Sequence, residues 1–517
     1  MLTSITIENF RGIGSPVSVA IKPITLLFGP NSVGKTTVVQ TLHYARECLD
    51  RQNFNPDRTL YGGKTIDLGG FKSIVNNHDL SKALRLRFDI DLSDVDLPDY
   101  RAGLQSTLRN WSYSRCITSA WIQIVIGWSE YLNNPIAFSY QVGLNGFEFA
   151  EIQASADGRR IELSSVNFRH PLFQHESDDF SEDAELLDIL LANVGFEFNT
   201  ENDGFVVELA NQESAIPNFG KPLEFNQQWV DADLSGSSQE LVNLLSQLIV
   251  GPGEMLRDLL RNFRYLGPMR ESPERNYSPA LSVDESRWSN GLSAWDVLYR
   301  NGEKFVDQVN SWIRHSDRLD TGYRLHLKTY KELDLASPTA MALLTGNVID
   351  VDVDMKREIA ALPTLTRLVL VEESTGVELV PRDVGIGVSQ VLPVVVAVLE
   401  QKSSFVAIEQ PELHVHPAIQ TALGDLFISE IANRGVTFLL ETHSEHLLLR
   451  LLRRIRETSD NELPPGAPAL HPDDVSVTYL EPSEFGIVMH QLRVDESGEF
   501  VDRWPRGFFE ERAGELF

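Results

Sequence analysis

The N-terminal residues alternate between apolar and polar side chains, the pattern of a β-strand with one buried face. Residues 2–9 follow this two-residue period, and residues 24–28, ITLLF, form a short apolar run that stops at Gly29. Such a run before a glycine is typical of a strand buried on both faces. From Lys35 to about Asp50 the segment has helical character instead. The sequence therefore predicts two strands, a turn and a helix.

The middle of the chain carries further alternating segments. Between 80 and 180, pieces such as LRLRFDIDL and FSYQVGL predict an insertion rich in antiparallel strands. Apolar residues at helical spacing predict amphipathic helices over 238–250 and 294–315. Strand character returns between 346 and 381, in NVIDVDVDM, TRLVLVEE and VELVP. No solenoid repeat and no sustained heptad pattern occurs, so long coiled-coil arms are not expected.

Composition restricts the classes of protein that these elements can form. The chain has 517 residues, of which 42% are hydrophobic, so large buried cores are expected. The formal net charge of −29 disfavours a surface coated uniformly for nucleic-acid or anionic-membrane binding. The two cysteines, Cys48 and Cys116, are too few for a disulfide framework. No apolar run reaches the length of about 18 residues that a membrane span requires. We therefore expect a globular protein of the reducing cytoplasm, with no export signal and no membrane partner.

The turn after the second strand contains the strongest chemical signal in the chain. Residues 29–37, GPNSVGKTT, match the pattern GxxxxGK[ST] between a predicted strand and a predicted helix. Such a loop wraps phosphate oxygens with backbone N–H groups, and its glycines keep Cβ atoms out of the way. Lys35 is expected to reach the β- and γ-phosphates, and Thr36 to offer its hydroxyl to Mg²⁺. The predicted nucleotide contacts are Gly29, Pro30, Asn31, Ser32, Val33, Gly34, Lys35, Thr36 and Thr37.

Residues 406–417, VAIEQPELHVHP, are open to three interpretations. A buried strand that ends in Glu409 fits the acidic residue that holds Mg²⁺ opposite a phosphate-binding loop. His414 and His416 alternate and could ligate zinc, but prolines interrupt the strand and no third ligand is evident. The segment could also be only a strand that runs into a turn. The match at residues 29–37 favours the nucleotide site.

Gln410 follows the predicted metal ligand directly. In many P-loop ATPases this position carries a second carboxylate that polarises the attacking water. A glutamine can orient water but cannot take its proton, so slow ATP hydrolysis is expected. Glu412 and His443 are the residues that could act as a base in its place.

Further motifs connect these segments to a known group of proteins. The chain carries VGIGVSQ at 384–390 and FLLETHSEH at 438–446, beside FRG near the N-terminus and YLGPMRE at 265–271. With the phosphate-binding loop and IEQPELHVHP, they resemble the ABC-type ATPase heads of the SMC, RecF and OLD group. The resemblance covers residues 1–80 and 260–517. Within that group the combination is similar to stand-alone, AAA15-like ATPases of bacterial anti-phage systems, including the Septu type.

The resemblance implies a site shared between two protomers. VGIGVSQ would be the signature loop, which caps the γ-phosphate bound to a second protomer. Its predicted contact residues are Gly385, Gly387, Ser389 and Gln390. His443 would be the switch histidine, and Arg11 in FRG would approach the nucleotide from the N-terminal sheet. A Q-loop contact is expected within residues 71–79, where His78 is one option. ATP and Mg²⁺ are the implied cofactors, and ATP-bridged heads imply a homodimer or higher homo-oligomer.

The implied fold is an α/β P-loop NTPase of the ABC-ATPase head type. It has a mixed sheet core, an antiparallel β-rich lobe, a helical insertion and no long coiled coil. We divide the chain into residues 1–80, the half of the head with the phosphate-binding loop, residues 81–260, an inserted β-rich and helical region, and residues 261–517, the half with the signature, Glu409 and the switch histidine. The C-terminal segment lacks the acidic constellation of a Toprim nuclease, so no effector domain is expected within the chain.

These features favour an ATP-dimerised sensor or regulator of anti-phage defence that controls a separately encoded effector, with an HNH-type nuclease favoured. One alternative is a RecF-like DNA-repair ATPase that binds duplex DNA directly, which needs a basic stripe. The other is the ATPase subunit of a membrane transporter, which the FRG-type N-terminus and the large insertion disfavour.

Two charged segments bear on the partners. The helix LLLRLLRRIRE at 447–457 groups four arginines, which predict a solvated face or a contact with DNA or an acidic partner: Arg450, Arg453, Arg454 and Arg456. The acidic block at 175–188 predicts a solvated surface or a partner-docking surface. Nucleic acid therefore remains a candidate partner beside the effector.

Overall fold

A computed structural model describes residues 1–31, 33–100, 116–173, 187, 206–226, 235–280, 282, 284–345, 353–484 and 486–505. The strands are β1 (Leu2–Glu8), β2 (Val17–Ala20), β3 (Ile24–Phe28), β4 (Leu84–Asp91), β5 (Ser119–Ser129), β6 (Asn134–Leu144), β7 (Phe147–Ala154), β8 (Ile161–Val166), β9 (Val207–Glu208), β10 (Phe263–Leu266), β11 (Tyr323–Lys331), β12 (Thr364–Glu372), β13 (Glu378–Leu379), β14 (Phe405–Glu409), β15 (Thr437–Glu441), β16 (Val475–Ser483) and β17 (Gly486–Leu492). The helices are α1 (Lys35–Arg51), α2 (Phe71–Ile74), α3 (Ser235–Arg261), α4 (Leu292–Ile313), α5 (Pro338–Leu344), α6 (Val353–Ala361), α7 (Ile386–Leu399), α8 (Pro417–Arg434) and α9 (Glu445–Ser459).

An antiparallel sheet joins the N-terminus to the predicted insertion. Its strand order is β2-β1-β4-β5-β6-β7-β8-β9. The alternation in β4 buries every second side chain, as its sequence pattern predicts. The antiparallel β-rich lobe is therefore confirmed. Because β1 pairs with β4, the segments on either side of residue 80 belong to one sheet rather than two.

A second sheet carries the motifs. Its order is β10-β14-β15-β3-β16-β17, and β17 is the antiparallel strand among otherwise parallel neighbours. All side chains of β3, β14 and β15 are buried, which explains their nearly continuous apolar sequences. The predicted mixed sheet core is thus confirmed. The strand before the predicted phosphate-binding loop is central in this sheet, with β15 and β16 on its two sides.

The mixed sheet separates two hydrophobic cores, and β3 contributes to both. Leu27 packs into the core shared with α1, α3 and the antiparallel sheet, whereas Leu26 and Phe28 pack into the core shared with α4, α7, α8 and α9. The same division holds in β14, where Ala407 faces the first core and Ile408 the second. Alternate side chains of a strand point to opposite faces, so position along the strand decides which core a residue joins.

Two sequence predictions differ from the structure in the helical parts. The helix predicted over 294–315 is present as α4, but Gly302 interrupts it with φ 69° and ψ −163°, a conformation that favours glycine. The strand predicted over NVIDVDVDM is wrong at its end, because α6 begins at Val353. Good helix formers such as Met355, Lys356 and Arg357 follow there and override the local alternation. The start of that segment, 347–352, lies outside the described residues.

The remaining helical predictions can be stated briefly. The amphipathic helix predicted over 238–250 is part of α3, which has 27 residues and is the longest helix in the described parts of the chain. None of the described helices forms a long coiled coil. The acidic block at 175–188 lies outside the described residues, except for Leu187. Among the helices that can be described, none combines the length and apolarity of a membrane-spanning segment.

Candidate nucleotide site

The predicted phosphate-binding loop joins β3 to α1 and leaves the N-terminus of α1 open. Gly34 precedes the helix with φ 102°, and no side chain caps the helix there. Uncapped N–H groups and the helix dipole favour an anion at this end. Lys35 is only 3% exposed, and its Nζ donates to the carbonyl oxygens of Gly29 and Pro30, each at 2.9 Å. The lysine ammonium is therefore held inside the loop. Ser32 lies outside the described residues.

The hairpin formed by β16 and β17 packs against this loop, a contact that the sequence motifs do not indicate. A Cβ atom on Gly29, where φ is 146°, would lie 2.4 Å from the carbonyl oxygen of Leu480. A Cβ atom on Gly34 would lie 2.6 Å from the Cδ1 atom of Ile487. The backbone contact and the positive φ angle both require glycine at position 29, whereas at position 34 the positive φ angle is the stronger requirement, because the Ile487 side chain can move.

Side chains at the ends of three neighbouring strands, β10, β14 and β15, point toward the start of α1, because alternate residues of a strand lie on the same face of the sheet. Ala407 and Leu439 face the core that contains α1, and the next residues on that face are Glu409 and Glu441, two positions further along. These two carboxylates are direct partners in the parallel register of β14 and β15. Tyr265 in β10 belongs to the same core. The carboxyl edge of the sheet thus brings two buried glutamates to the phosphate-binding loop.

The hydroxyl of Thr36 contacts Glu441 rather than Glu409. Its Oγ1 donates to Glu441 Oε2 at 3.0 Å, and Lys35 Nζ lies 3.9 Å from Glu441 Oε1. Glu409 Oε1 instead accepts a hydrogen bond from the hydroxyl of Tyr265 at 3.0 Å. Sequence reasoning found Thr36 and Glu409 but missed Glu441, although it stands in FLLETHSEH at the end of an apolar strand, as Glu409 does.

Burial and mutual repulsion weaken the acidity of these carboxyl groups. Desolvation raises the pKa of Glu409, and the neighbouring carboxylate of Glu441 raises it further. Desolvation also raises the pKa of Glu441, against the opposing attraction of Lys35. Two carboxylates side by side in a buried place are unfavourable unless a cation or a proton compensates them. The donor set therefore suits a hard cation with oxygen ligands, such as Mg²⁺.

Glu412 and His443 meet at the same edge. The backbone N–H of His443 donates to Glu412 Oε1 at 2.7 Å. Glu412 Oε2 and His443 Nε2 are buried without a hydrogen-bond partner among the described residues. Desolvation raises the pKa of Glu412, whereas burial and the charge of Lys35 lower the pKa of His443. The charge of Lys35 therefore acts on His443, the residue that the sequence motifs predict as the switch histidine.

Arg270, which sequence reasoning did not single out, organises the chain around Gln410. Gln410 has φ 46°, and its N–H donates to the carbonyl oxygen of Glu441 at 2.7 Å. The Nη2 atom of Arg270 donates to the carbonyl oxygens of Glu409 at 2.6 Å and of Gln410 at 3.1 Å. Its Nη1 atom donates to the carbonyl oxygen of Gln390 at 3.4 Å. A buried arginine therefore connects the end of β14 to the signature helix.

The signature segment differs in part from its prediction. Ser389 and Gln390 are buried in their own head: the Ser389 hydroxyl donates to the carbonyl oxygen of Ile386, and the Gln390 amide bonds the backbone of Arg270. Their side chains therefore do not face outward, as a contact with a second protomer would require. Gly385 and Ile386 are exposed where α7 begins, and no side chain caps that helix.

Gly387, in the first turn of α7, packs against the loop that follows β14 and carries His414 and His416. A Cβ atom on Gly387 would lie 2.9 Å from the carbonyl oxygen of His414. His416 caps α8, where its Nδ1 accepts the N–H of Ala418. No group of three or more potential metal-ligating His, Cys, Asp or Glu side chains is present in the described parts of the chain.

Arg11 precedes a glycine that packs near the phosphate-binding loop, but its own guanidinium bonds elsewhere. Its neighbour Gly12 and the loop residue Gly34 both approach Ile487, and the guanidinium donates to the carbonyl oxygen of Asp67 at 2.9 Å. In the segment predicted for the Q-loop, Asn76 donates to the carbonyl oxygen of Arg11 at 2.7 Å. His78 is exposed and bonds the backbone of Lys72. Asn76 therefore approaches Arg11 more closely than His78 does.

The basic helix α9 is largely neutralised by its own head. Arg450 and Arg454 both contact Asp425, and Arg453 and Arg454 both contact Glu457. Arg454 is buried. These contacts explain much of the arginine cluster as internal ion pairs, with Asp425 of α8 and with Glu457 of α9 itself.

Three family models match separate parts of the chain. Residues 1–106 match the family of AAA ATPase domains. Residues 260–450 match the family described as AAA domain, putative AbiEii toxin, Type IV TA system. Residues 470–517 match a protein family of unknown function, DUF3696. No curated protein sequence matches the chain.

Several solved SMC heads are distantly similar to the chain. An SMC head bound to the C-winged helix domain of ScpA has 10% identity and a TM-score of 0.40, over 96% of this chain and 98% of that one. An Smc head from Pyrococcus furiosus with an extended coiled coil, bound to the C-terminal domain of ScpA, has 10% identity and a TM-score of 0.38, over 100% and 98%. The SMC head of Thermotoga maritima has 8% identity and a TM-score of 0.34, over 96% and 99%.

Proposed function

We propose that this chain, an ATPase head of the SMC/ABC type, binds ATP with Mg²⁺ and uses the bound nucleotide to join two heads. One observation carries the proposal. The loop residues Lys35 and Thr36 lie against the buried carboxyl ends of β14 and β15, at the uncapped N-terminus of α1. Phosphate oxygens suit the lysine and the helix end, and a divalent cation suits the carboxylates. The two kinds of group lie next to each other, with Thr36 and Glu441 in direct contact.

The roles of the individual residues follow from charge and reach. Lys35 and the backbone of the loop hold the phosphates, with the loop's glycines allowing the close approach. Thr36 and a buried glutamate hold Mg²⁺, which neutralises phosphate charge when it is bound. His443, kept neutral by burial, and Glu412 lie on the loops after β15 and β14, where they can orient a water molecule near the γ-phosphate. Gln410 orients but does not deprotonate water, so turnover is slow.

For the contact between heads, we propose the backbone at the start of α7 rather than the side chains of Ser389 and Gln390. Gly385 and Ile386 are exposed there, Ile386 at 59%, and the helix has no side-chain cap. A helix N-terminus of this kind favours the negative charge of a γ-phosphate presented by a second head. ATP would then close a homodimer, or a higher homo-oligomer, by completing two shared sites.

In its biological role the head is proposed to act as a sensor or regulator of a separately encoded effector in anti-phage defence. The family description of residues 260–450 names a putative AbiEii toxin of a Type IV toxin–antitoxin system, which supports a defence context. A similarity to Septu-type ATPases and an HNH-type nuclease as the effector remain predictions of the sequence motifs. We expect the purified chain to leave DNA and RNA uncut by itself.

Direct DNA binding in the manner of RecF has less support. Arg450, Arg453 and Arg454 are engaged with carboxylates of their own head, so the predicted basic face is reduced. The net charge of −29 also opposes a polyanion. Tight, salt-dependent binding of duplex DNA by the isolated protein would favour this alternative instead.

The test combines nucleotide binding with mass. Wild-type protein, Lys35→Ala and the control Lys22→Ala are titrated with ATP, and their masses are measured with and without ATP. Lys22 bonds the backbone of Pro472, near the opposite end of β3 from the loop, so its loss should leave ATP affinity unchanged. Lys35→Ala should abolish binding, because it removes the main positive charge facing the phosphates. Unchanged affinity in Lys35→Ala would contradict the site, and a monomer that ATP leaves monomeric would contradict the shared interface.

A further inference from the structure

Glu441 reaches the nucleotide site because β15 lies between β3 and β14. It is the last residue of a strand whose side chains are all buried, and its register partners are Leu27 in β3 and Glu409 in β14. Glu441 is 7% exposed and Glu409 is 5% exposed. Both glutamates therefore end neighbouring strands on the same face of the sheet, at the same depth.

The contacts of the two glutamates nevertheless differ. Thr36 Oγ1 and Glu441 Oε2 are 3.0 Å apart. Adjacent ligands of an octahedral Mg²⁺ ion with bonds of 2.0–2.1 Å are separated by about 2.9 Å. The hydroxyl and the Glu441 oxygen thus already have the spacing of two neighbouring ligands. Glu409 Oε1 is occupied by the hydroxyl of Tyr265.

A simple ion pair with Lys35 does not account for Glu441. The Nζ atom of Lys35 is 3.9 Å from Glu441 Oε1, whereas it makes 2.9 Å bonds to the carbonyl oxygens of Gly29 and Pro30. The lysine is therefore held mainly by its own loop. An attraction at 3.9 Å leaves the carboxylate free to serve a second cation.

The charges around the loop also leave room for a cation. Three buried carboxylates act electrostatically on Lys35, those of Glu441, Glu409 and Glu412. The cations in the same group are Lys35 and Arg270, and Arg270 interacts with Glu412 and Glu409. Three carboxyl groups and two cations leave one carboxyl group without a cationic partner, and the raised pKa values of the three groups indicate that a proton compensates it when no metal ion is bound. Buried charge of one sign requires compensation.

From this geometry we infer that Glu441, rather than Glu409, is the carboxylate that holds Mg²⁺ beside Thr36. Glu409 is a positioning residue: fixed by Tyr265, it supports the carboxyl edge without ligating the metal itself. The ion would complete its coordination with phosphate oxygens and water, which is the usual environment of Mg²⁺ at a nucleotide. The inference rests on the proposed ATP site and assigns the metal ligand within it.

The test compares Glu441→Gln with Glu409→Gln, two substitutions that change one charge each on register partners. ATP affinity is measured by equilibrium titration in excess Mg²⁺ and in EDTA, and bound Mn²⁺ is counted by electron paramagnetic resonance in the presence of ATP. In Glu441→Gln the Mg²⁺-dependent gain in ATP affinity and the bound Mn²⁺ signal should fall by about 10- to 100-fold, the range for disturbed metal sites. Affinity in EDTA should not fall below the wild-type value, because the substitution removes a negative charge that faces the phosphates. Glu409→Gln should keep the gain and the signal.

A third variant separates the lost charge from a folding defect. Glu441→Asp keeps the carboxylate on a shorter side chain and should recover part of the Mg²⁺-dependent gain, with circular dichroism confirming that each variant is folded. A folded Glu441→Asp that resembles Glu441→Gln would overturn the inference. So would loss of the metal signal in Glu409→Gln while Glu441→Gln retains it, or an equal loss in both.

If the proposed ATP site is wrong, the same experiments give a different result. If wild-type protein binds ATP neither in Mg²⁺ nor in EDTA, the ATP site itself is wrong, whatever the variants do. If wild-type protein binds ATP with a Mg²⁺-dependent gain and Glu441→Gln matches it, the ATP site stands and the metal assignment is wrong.

Discussion

Replacing Arg270 by methionine should weaken the head and change its chemistry at the same time. The guanidinium is 3% exposed and donates from Nη2 to the carbonyl oxygens of Glu409 and Gln410, at 2.6 and 3.1 Å. Methionine is similar in length and apolar, so it fills the space but donates no hydrogen bond. The carbonyl oxygens at the end of β14 would lose their donor, and the buried carboxylates nearby would lose a cation.

The magnitude follows from the two short bonds. A hydrogen bond that involves a charged group contributes about 1.5–3 kcal/mol, so two of them amount to roughly 3–6 kcal/mol. The variant no longer bears the free-energy cost of burying the guanidinium charge, which offsets part of this loss. Removing one partner of a buried charged pair typically costs about 3–5 kcal/mol. We therefore expect a free energy of unfolding lower by about 3–5 kcal/mol. The 3.4 Å contact of Nη1 with the Gln390 carbonyl is too long to add much.

Arg264→Met is the matched control. Arg264 is also buried, at 4% exposed, and it pairs with Glu400, donates to the carbonyl oxygen of Ala397 and lies over the ring of Trp288. Both substitutions should lower the denaturant midpoint to a similar extent. Only Arg270→Met should also alter ATP hydrolysis, because only Arg270 borders the carboxylates of the site.

The pH profile distinguishes the two arginines most clearly. The charge of Arg270 lowers the pKa of Glu409 and of Glu412 against the larger effect of burial. Without that charge both pKa values rise, so the carboxylates take up protons at a higher pH. The acidic limb of the ATPase profile should shift to higher pH in Arg270→Met and stay in place in Arg264→Met. Equal stability losses with identical pH profiles would refute the electrostatic role of Arg270, and undiminished stability would refute its structural role.

Three further predictions address single positions. Gln410→Glu supplies the missing carboxylate and should raise steady-state ATP hydrolysis by about 10²- to 10⁴-fold. If the wild type already hydrolyses ATP rapidly and the glutamate adds nothing, Gln410 does not occupy the catalytic position. Gly29→Ala places a Cβ atom 2.4 Å from the Leu480 carbonyl oxygen and should abolish ATP binding. The control Gly435→Ala, with φ 64° and no atom within 4 Å of the added Cβ, should only cost about 1–2 kcal/mol of stability. Equal ATP binding by both variants would contradict the tight packing of the hairpin. Burial lowers the pKa of His43 to about 3, so the unfolded chain binds its proton first as the pH falls. Between pH 6.5 and 5, the free energy of unfolding of the wild type should therefore drop by roughly 1.6 kcal/mol more than that of His43→Leu, as measured by denaturant titration at each pH. If the two proteins lose stability in parallel as the pH falls, this histidine is not kept neutral in the folded chain.

Much of the architecture could be predicted from the sequence because it depends on local pattern. The alternation in LRLRFDID requires a strand with one buried face, and the apolar run of β3 requires a strand buried on both faces. The phosphate-binding loop is equally local, because contiguous residues 29–37 provide its glycines, its lysine and the helix that follows. Local pattern was misleading at Val353, where strong helix formers follow an alternating segment.

Which side chains of the signature helix are buried could not be predicted from its motif. VGIGVSQ indicates a glycine-rich start of a helix, but the motif does not say which of its side chains face their own core. Gln390 is buried against the backbone of Arg270, Ser389 is buried beside it, and Ile386 is exposed. That orientation depends on an arginine 120 residues away in the chain from Gln390.

The sequence by itself determined the elements, the phosphate-binding loop and the carboxylate at the end of β14, since each is encoded within a few consecutive residues. The tertiary structure alone decided which strands are neighbours, and therefore which carboxylate meets Thr36. Glu441 is 405 residues from Thr36 along the chain, and only the placement of β15 between β3 and β14 brings them to 3.0 Å. Hydrophobic period specifies that a strand is buried, but strand order results from packing the whole core, to which distant segments contribute together.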